Sequence, residues 1–173
     1  MSRAEKRTIR RCTPADFGAI LEIINDGAQA YRGVIPEDRW HEPYMSAREL
    51  EQEIAAGVVF WGYQQLLLGV MGIQDKGDVT LIRHAYVRTE AQGRGVGTAL
   101  LKQLEVMTHT PILIGTWAAA TWAIAFYQKN GYSLIPEAEK TALLHTYWSI
   151  PERQVETSVV LASRAWSRLR TQR

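Results

Sequence analysis

Apolar positions along this chain follow two different periods, and each period predicts one type of element. Residues 8–12 predict a short strand, and residues 13–26 carry a capping box followed by an apolar face at helical spacing. Residues 27–45 are rich in aromatic side chains but have no clean period, which predicts a long loop or a broken helix. Ser46 and Glu49 form a second capping box, so we expect another helix that runs to about residue 56.

The middle of the chain alternates apolar runs with short polar turns. Three such runs, residues 58–63, 66–74 and 79–87, follow one another at hairpin distance and predict an antiparallel meander. A glycine-rich stretch comes next, and the pattern then changes to helices and strands in alternation. We expect helices near residues 96–107, 120–130 and 137–148, and strands near residues 111–117, 132–135 and 156–163. This order predicts an α/β domain of α+β character, with a mostly antiparallel sheet that changes direction at the glycines.

Length and composition are those of an ordinary globular protein. The 173 residues, 46% hydrophobic and 22% charged, predict a single domain 1–173, with a core at about 8–163 and a basic tail at 164–173. A net charge of +2 is too small to indicate a nucleic-acid partner. One cysteine and four scattered histidines predict no metal site. No apolar run is long enough for a membrane span, and residues 1–8 lack the apolar core of a signal peptide, so we expect a cytoplasmic protein.

Three alternating glycines, Gly93, Gly95 and Gly97, stand between a predicted strand and a predicted helix. Glycines in this position let backbone N–H groups approach an anion at a helix N-terminus. The spacing is not that of a dinucleotide fingerprint, because the sixth position from Gly93 is Thr98, and no lysine follows as a phosphate-binding P-loop requires. Two interpretations remain open on the glycines alone: a cradle for another phosphate group, and a plain strand-to-helix turn.

A second motif lies about thirty residues further on. The first motif reads Gln92-x-x-Gly95-x-Gly97 followed by Ala-Leu-Leu, and the second reads A-I-A-F-Y-Q-K-N-G-Y over residues 123–132. Together, in this order, they resemble the GNAT N-acetyltransferase superfamily, and the resemblance spans roughly residues 8–163. It implies a mixed, mostly antiparallel central sheet of about seven strands flanked by helices, in which parallel strands 4 and 5 splay apart.

The resemblance also implies acetyl-CoA as the acyl donor. In the family, backbone groups of the fourth strand hold the pantetheine arm and polarise the thioester carbonyl, while the glycine loop takes the pyrophosphate. The implied acetyl-CoA residues are Ala85, Tyr86, Val87, Gln92, Gly93, Arg94, Gly95, Val96, Gly97, Thr98, Ala123 and Phe126.

Catalytic candidates follow from the same resemblance and from residue chemistry. Tyr127 stands at the family's usual position for the acid that protonates the departing thiolate, although an aromatic residue that only packs is the alternative. The glutamate that some relatives use as a base falls here at about Leu81, which cannot act as one. The base is therefore open between His84, His41, Glu42 and a water relay.

The acceptor site is expected in the irregular loop before the second helix. Its candidate substrate-binding residues are Tyr31, Trp40, His41, Glu42 and Tyr44, and the alternative is a surface loop anchored by its aromatic side chains. The predicted helix at 137–148 is too apolar for a free surface. Its open roles are closing the acceptor pocket, forming a homodimer contact, and covering the sheet.

The function that these features predict is acetyl transfer from acetyl-CoA to a primary amine of a small molecule, by direct attack in a ternary complex. Two alternatives remain: a non-catalytic domain that binds or senses acyl-CoA, and an acetyltransferase acting on protein N-termini or lysines.

Overall fold

The computed structural model describes residues 8–172. The expectation that the first residues carry no signal peptide concerns a segment outside the described residues, apart from residue 8. This part of the chain forms seven strands and seven α-helices. Their bounds in chain order are β1 Ile9–Arg11, α1 Phe17–Gly27, α2 Ala47–Ala55, β2 Val59–Tyr63, β3 Gly69–Asp75, β4 Thr80–Val87, α3 Val96–Met107, β5 Ile112–Trp117, α4 Thr121–Lys129, β6 Ser133–Leu134, α5 Glu137–Tyr147, α6 Glu152–Glu156, β7 Ser158–Ala162 and α7 Arg164–Thr171. None of the helices within 8–172 is long and apolar enough to cross a membrane.

All seven strands form one sheet in the order β1-β2-β3-β4-β5-β7-β6. Every neighbouring pair is antiparallel except β4 and β5, which are parallel. Pairing between β4 and β5 stops at Ile82 opposite Ile114, although the strands continue to Val87 and Trp117. The predicted fold class is therefore confirmed, including the splay between the two parallel strands.

A β-bulge in β4 lies directly beyond the last paired residue. Val70 of β3 pairs with Tyr86 and Gly72 pairs with Arg83, so one residue of β3 faces both His84 and Ala85. His84 takes up the extra length with a positive φ of 53°. A bulge bends its strand and increases its twist, and this one turns β4 away from β5 where the gap opens.

Helices cover both faces of the sheet. Neighbouring strand residues point to opposite faces, and accordingly Ile82 and Ile114 pack with α3 and α4, whereas Leu81 and Leu113 pack under α5. Helices α1 and α2 cover the same face as α5, over β2 and β3. Leu144 of α5 is only 1% exposed, so this helix covers the sheet, one of the three roles open to it.

One irregular segment of the structure agrees with the sequence expectation of a broken helix, and two segments near the C-terminus differ from what the sequence predicts. Residues 27–45 contain two short 3₁₀ turns, Ala28–Tyr31 and Glu37–Arg39. Residues 164–171, predicted as part of a basic tail, form helix α7, because Trp166 packs against the cluster under α5. A short helix, α6, which the sequence pattern does not predict, fills the connection before β7.

Candidate active site

A large cavity of about 700 Å³ opens beside the splayed end of β4. Its walls come from the end of α1, from β3 and β4, from the glycine loop and from α4. Of the predicted acetyl-CoA residues, those that line it are Ala85, Tyr86, Val87, Gln92, Gly93, Gly97, Ala123 and Phe126. The other four do not line it: Arg94 and Gly95 are exposed on the loop, Thr98 is exposed in the first turn of α3, and the Val96 side chain is buried in the core.

The glycine loop leaves its backbone amides free. Gly93 and Gly95 have φ values of 77° and 78°, a left-handed conformation that favours glycine. Within residues 8–172, no N–H group from Gly93 to Thr98 donates a hydrogen bond, and the first helical bond is that of Ala99 to Gly95. These amides surround the N-terminus of α3, so the loop provides a site suited to an anion.

Close packing explains the third glycine. A Cβ atom on Gly97 would lie 3.3 Å from the ring of Phe126, which comes from α4 on the other side of the cavity. The loop and α4 therefore approach each other directly.

The free edge of β4 also presents backbone polar groups. Arg88 donates its N–H to Leu68, on the β3 side, over 2.8 Å. Because backbone groups alternate between the two edges of a strand, the N–H and C=O groups of Val87 and Ala85 point to the opposite edge. No β5 residue pairs with them there. The Val87 carbonyl accepts a long hydrogen bond of 3.5 Å from the Gln92 side chain, and the Val87 N–H and the groups of Ala85 are available to a ligand in the gap.

A small cavity of about 130 Å³ adjoins the large one. It lies over β4 and β5, between the loop after α1 and the segment after α5. Both cavities share the same five wall residues, which are Tyr31, Ala85, Tyr86, Ala123 and Tyr127. Two compartments thus meet at the point where the parallel strands separate.

Tyr127 stands at this junction. Its side chain is 6% exposed, and burial raises the pKa of the phenol well above its ordinary value. Among the residues described, the Tyr127 hydroxyl has no hydrogen-bond partner, while its ring packs edge-on against Phe126 and Tyr132. The hydroxyl therefore keeps its proton and is not committed to a structural contact.

His84 is held in place by a carboxylate from α2. Its Nε2 lies 2.9 Å from Oε2 of Glu53, which also pairs with Arg83 at 2.8 Å. Burial lowers the pKa of His84 more than Glu53 raises it. For Glu53, burial raises the pKa, but the His84 hydrogen bond and the charge of Arg83 together hold it below its ordinary value. An ionised Glu53 can only accept, so Nε2 carries the ring proton and Nδ1 is the basic atom.

Glu53 is a functional candidate that the sequence analysis does not contain. The sequence could have indicated Glu53 by its spacing, because it stands three residues after Leu50 and so lies on the same face of α2. Leu50 is fully buried, and this face points to the sheet. The contact itself joins residues 31 positions apart and depends on the bulge at His84.

The predicted acceptor loop divides into two parts. Tyr31 and Tyr44 line the small cavity, whereas Trp40, His41 and Glu42 do not. Trp40 and His41 stack on Tyr44 from outside, with ring centroids 5.8 Å and 6.2 Å away. Glu42 is exposed and pairs with Arg32 at 3.6 Å.

Other residues of the two cavities were not predicted as site residues. Trp117 at the end of β5 donates its indole N–H to the Tyr44 hydroxyl over 2.8 Å. Trp122 of α4 stacks on Tyr31 and lines the large cavity. Further wall residues of the small cavity are Thr116, Trp148, Ile150 and Gln154.

Comparison with protein families identifies the domain. Residues 55–134, which include the bulged strand, the glycine loop and Tyr127, match the family model described as acetyltransferase (GNAT) domain. This segment has the sequence pattern of a GNAT acetyltransferase domain. A comparison of the sequence with curated proteins finds no match.

Solved structures of GNAT proteins share the fold of this chain. The PaiA N-acetyltransferase from Thermoplasma acidophilum, solved with coenzyme A, is similar with a TM-score of 0.69 and 17% identity, over 91% of this chain and 98% of that one. The ribosomal-protein-S18-alanine N-acetyltransferase from Escherichia coli is similar with a TM-score of 0.62 and 17% identity, over 91% and 93%. At these identities the likeness shows the fold alone.

Proposed function

We propose that this chain transfers an acetyl group from acetyl-CoA to the primary amine of a small molecule, in a ternary complex. The observation that supports this most directly is the junction of the two cavities at the end of β4. A donor in the large cavity and an acceptor in the small one would meet beside Tyr127 without a covalent enzyme intermediate.

The large cavity fits acetyl-CoA at both ends. The free amides of Gly93 to Thr98, at the N-terminus of α3, suit a pyrophosphate. The backbone groups of Ala85 and Val87, which no β5 residue pairs with, suit the amides of a pantetheine arm. Bound acetyl-CoA would supply a thioester, whose carbonyl carbon accepts the amine and whose sulfur leaves as a thiolate.

The residues around the junction match the remaining chemical requirements. Backbone N–H groups of the free β4 edge would stabilise the charge that develops on the carbonyl oxygen. His84, through Nδ1 and directly or by way of a water molecule, would take the proton that the amine loses as its nitrogen bonds to carbon. Tyr127, protonated and unpartnered, would deliver its proton to the sulfur as the carbon–sulfur bond breaks.

The position of His84 favours it over the other candidate bases. His84 lines the small cavity, whereas His41 and Glu42 lie on the outer side of Tyr44. The small volume of this cavity, which Trp148 lines, also favours a small molecule over a polypeptide acceptor.

The experiment that tests the proposal incubates the purified chain with acetyl-CoA and a panel of small primary amines and N-terminal peptides. Released CoA thiol and the mass of the acetylated product are both measured. We expect thiol release that depends on a small amine. Acetyl-CoA binding without release in the presence of any amine would support a binding or sensing domain instead, and release with peptides alone would support a protein acetyltransferase.

A further inference from the structure

We propose that the acceptor of this enzyme is a compact primary monoamine with a flat body about the size of a benzene ring and no second charged group. This inference rests on the proposed function and assigns the substrate class of the same site. It is carried by the size of the small cavity, by its walls and by its charges.

The size of the cavity limits the acceptor first. At about 130 Å³ it is slightly smaller than an engineered apolar cavity of about 150 Å³ that binds benzene. The amine nitrogen must reach the shared wall at Tyr127, so the part of the molecule that enters the small cavity has about this volume. A six-membered ring with one methylene fills it, whereas a sugar ring with several substituents or a peptide does not fit.

The aromatic rings among the wall residues favour a flat body. The indole ring of Trp148 lies against the backbone of β5. A Cβ atom built on Gly115 would be only 3.3 Å from this ring. On the opposite side, Tyr44 is fixed by the hydrogen bond from Trp117. Tyr31 is held between Tyr44 and Tyr86, with ring centroids 5.5 Å and 6.2 Å away. Aromatic walls of this kind favour stacking and edge-to-face contacts with a ring.

The charges argue against acceptors that carry a second ionised group. Within residues 8–172, no Asp or Glu side chain lines the small cavity, so a second ammonium group would lose its hydration without gaining an ionised partner. The guanidinium of Arg83 is already paired with Glu53 at 2.8 Å, and its side chain is 14% exposed. A carboxylate on the acceptor would have to displace Glu53, which also holds His84.

Trp148 is the residue that sets this selectivity, because it contributes an aromatic wall to the cavity from the segment that follows α5. Replacing it with alanine, W148A, removes one aromatic wall and enlarges the space above Gly115. We expect kcat/KM for benzylamine to fall roughly 10- to 100-fold, the usual effect of losing apolar contact in a substrate pocket. Turnover of a bicyclic amine, 2-naphthylmethylamine, should rise, so that the preference between the two inverts.

Trp166→Ala is the matched control. Trp166 also packs against the cluster under α5, but it does not line the small cavity. Its replacement should lower stability without changing the preference between the two amines.

The experiment measures kcat/KM of the full chain for benzylamine, cyclohexylmethylamine, spermidine, glutamate and an alanine-terminated tripeptide. We expect the two ring amines to exceed the other three by at least about tenfold, the step expected when a buried charge finds no partner. Preference for spermidine, glutamate or the tripeptide would overturn the inference and leave acetyl transfer intact, as would an unchanged preference in W148A.

Calorimetry separates this inference from the proposed function. If no amine is acetylated, the proposed function fails, and titration of CoA-loaded protein with benzylamine still decides the acceptor class. Binding that W148A weakens and W166A does not would support the inference. Absence of binding, or equal binding by both variants, would overturn it.

Discussion

Replacing Tyr127 with phenylalanine tests the catalytic assignment with a single atom removed. The ring stays packed between Phe126 and Tyr132, and the lost hydroxyl has no hydrogen-bond partner among the described residues. We therefore expect the free energy of unfolding to change by less than about 0.5 kcal/mol, as for a substitution that breaks no interaction. The affinity for acetyl-CoA should also be preserved.

The expected change lies in the rate. A positioned acid contributes about 10²- to 10⁴-fold, which corresponds to about 3–5 kcal/mol of transition-state stabilisation. Because burial raises the pKa of Tyr127, the wild-type phenol stays protonated beyond its ordinary value of 10.0. Its ionisation should then impose no fall in rate as pH rises toward that value.

Tyr132→Phe provides a matched control nearby. Tyr132 is 5% exposed, and its hydroxyl donates to Glu105 over 3.1 Å, but it lines neither the large nor the small cavity. We expect this variant to lose about 1 kcal/mol of stability and to keep its rate. Steady-state kinetics, calorimetry with acetyl-CoA and urea unfolding measure all three quantities. An unchanged rate in Tyr127→Phe, or equal rate losses in both variants, would refute the acid assignment.

Three further predictions concern the loop, the base and the apolar cover. Gly95→Ala places a side chain at φ 78°, so we expect a loss of about 1 kcal/mol of stability together with weaker CoA binding by calorimetry. Because burial lowers the pKa of His84 from 6.5, the activity should fall only at pH values below 6.5. Glu53→Gln removes the negative charge that favours the imidazolium, so it should move this acid limb of the pH–rate profile to lower pH. Lys140→Met should cost about 3 kcal/mol in urea unfolding, because this lysine, 3% exposed, donates to three main-chain carbonyls at 2.7–3.3 Å.

Each of these variants has a control in the same chain. Gly18→Ala, in a helix and with nothing within 4 Å of the new Cβ, should stabilise by up to about 1 kcal/mol, so a loss equal to that of Gly95→Ala would contradict the backbone argument. Glu51 lies on the exposed side of α2, so Glu51→Gln should leave the pH–rate profile unchanged. A shift of the profile as large as that of Glu53→Gln would indicate a general charge effect. Lys102→Met, with a side chain 55% exposed, should cost less than about 0.5 kcal/mol.

The parts of the fold that the sequence predicts are those set by local patterns. The capping box at Ser46 starts a helix, and Ser46 accepts the hydrogen bond from the Glu49 amide as predicted. The alternating runs of the meander produce β2, β3 and β4, and the glycine pattern marks a turn into α3. These elements follow from neighbours within a few residues, which is why the pattern is sufficient.

The parts that the sequence does not predict depend on contacts between distant residues. Nothing near His84 indicates a bulge, since the register shift arises only when β4 pairs with β3. Likewise, the contact of Trp148 with Gly115 exists because α5 lies across β5. The apolar pattern of residues 137–148 predicts a helix but does not indicate which strand that helix covers. The predicted roles of the site residues stay predictions until binding and kinetics test them.

The measurement that tests the central claim most directly is a crystal structure of the chain with CoA. We expect the pyrophosphate at the free amides of Gly93–Thr98, the pantetheine arm along Ala85 and Val87, and the thiol at the junction of the two cavities within hydrogen-bond reach of the Tyr127 hydroxyl. CoA bound elsewhere, or with its thiol directed away from the small cavity, would contradict the account.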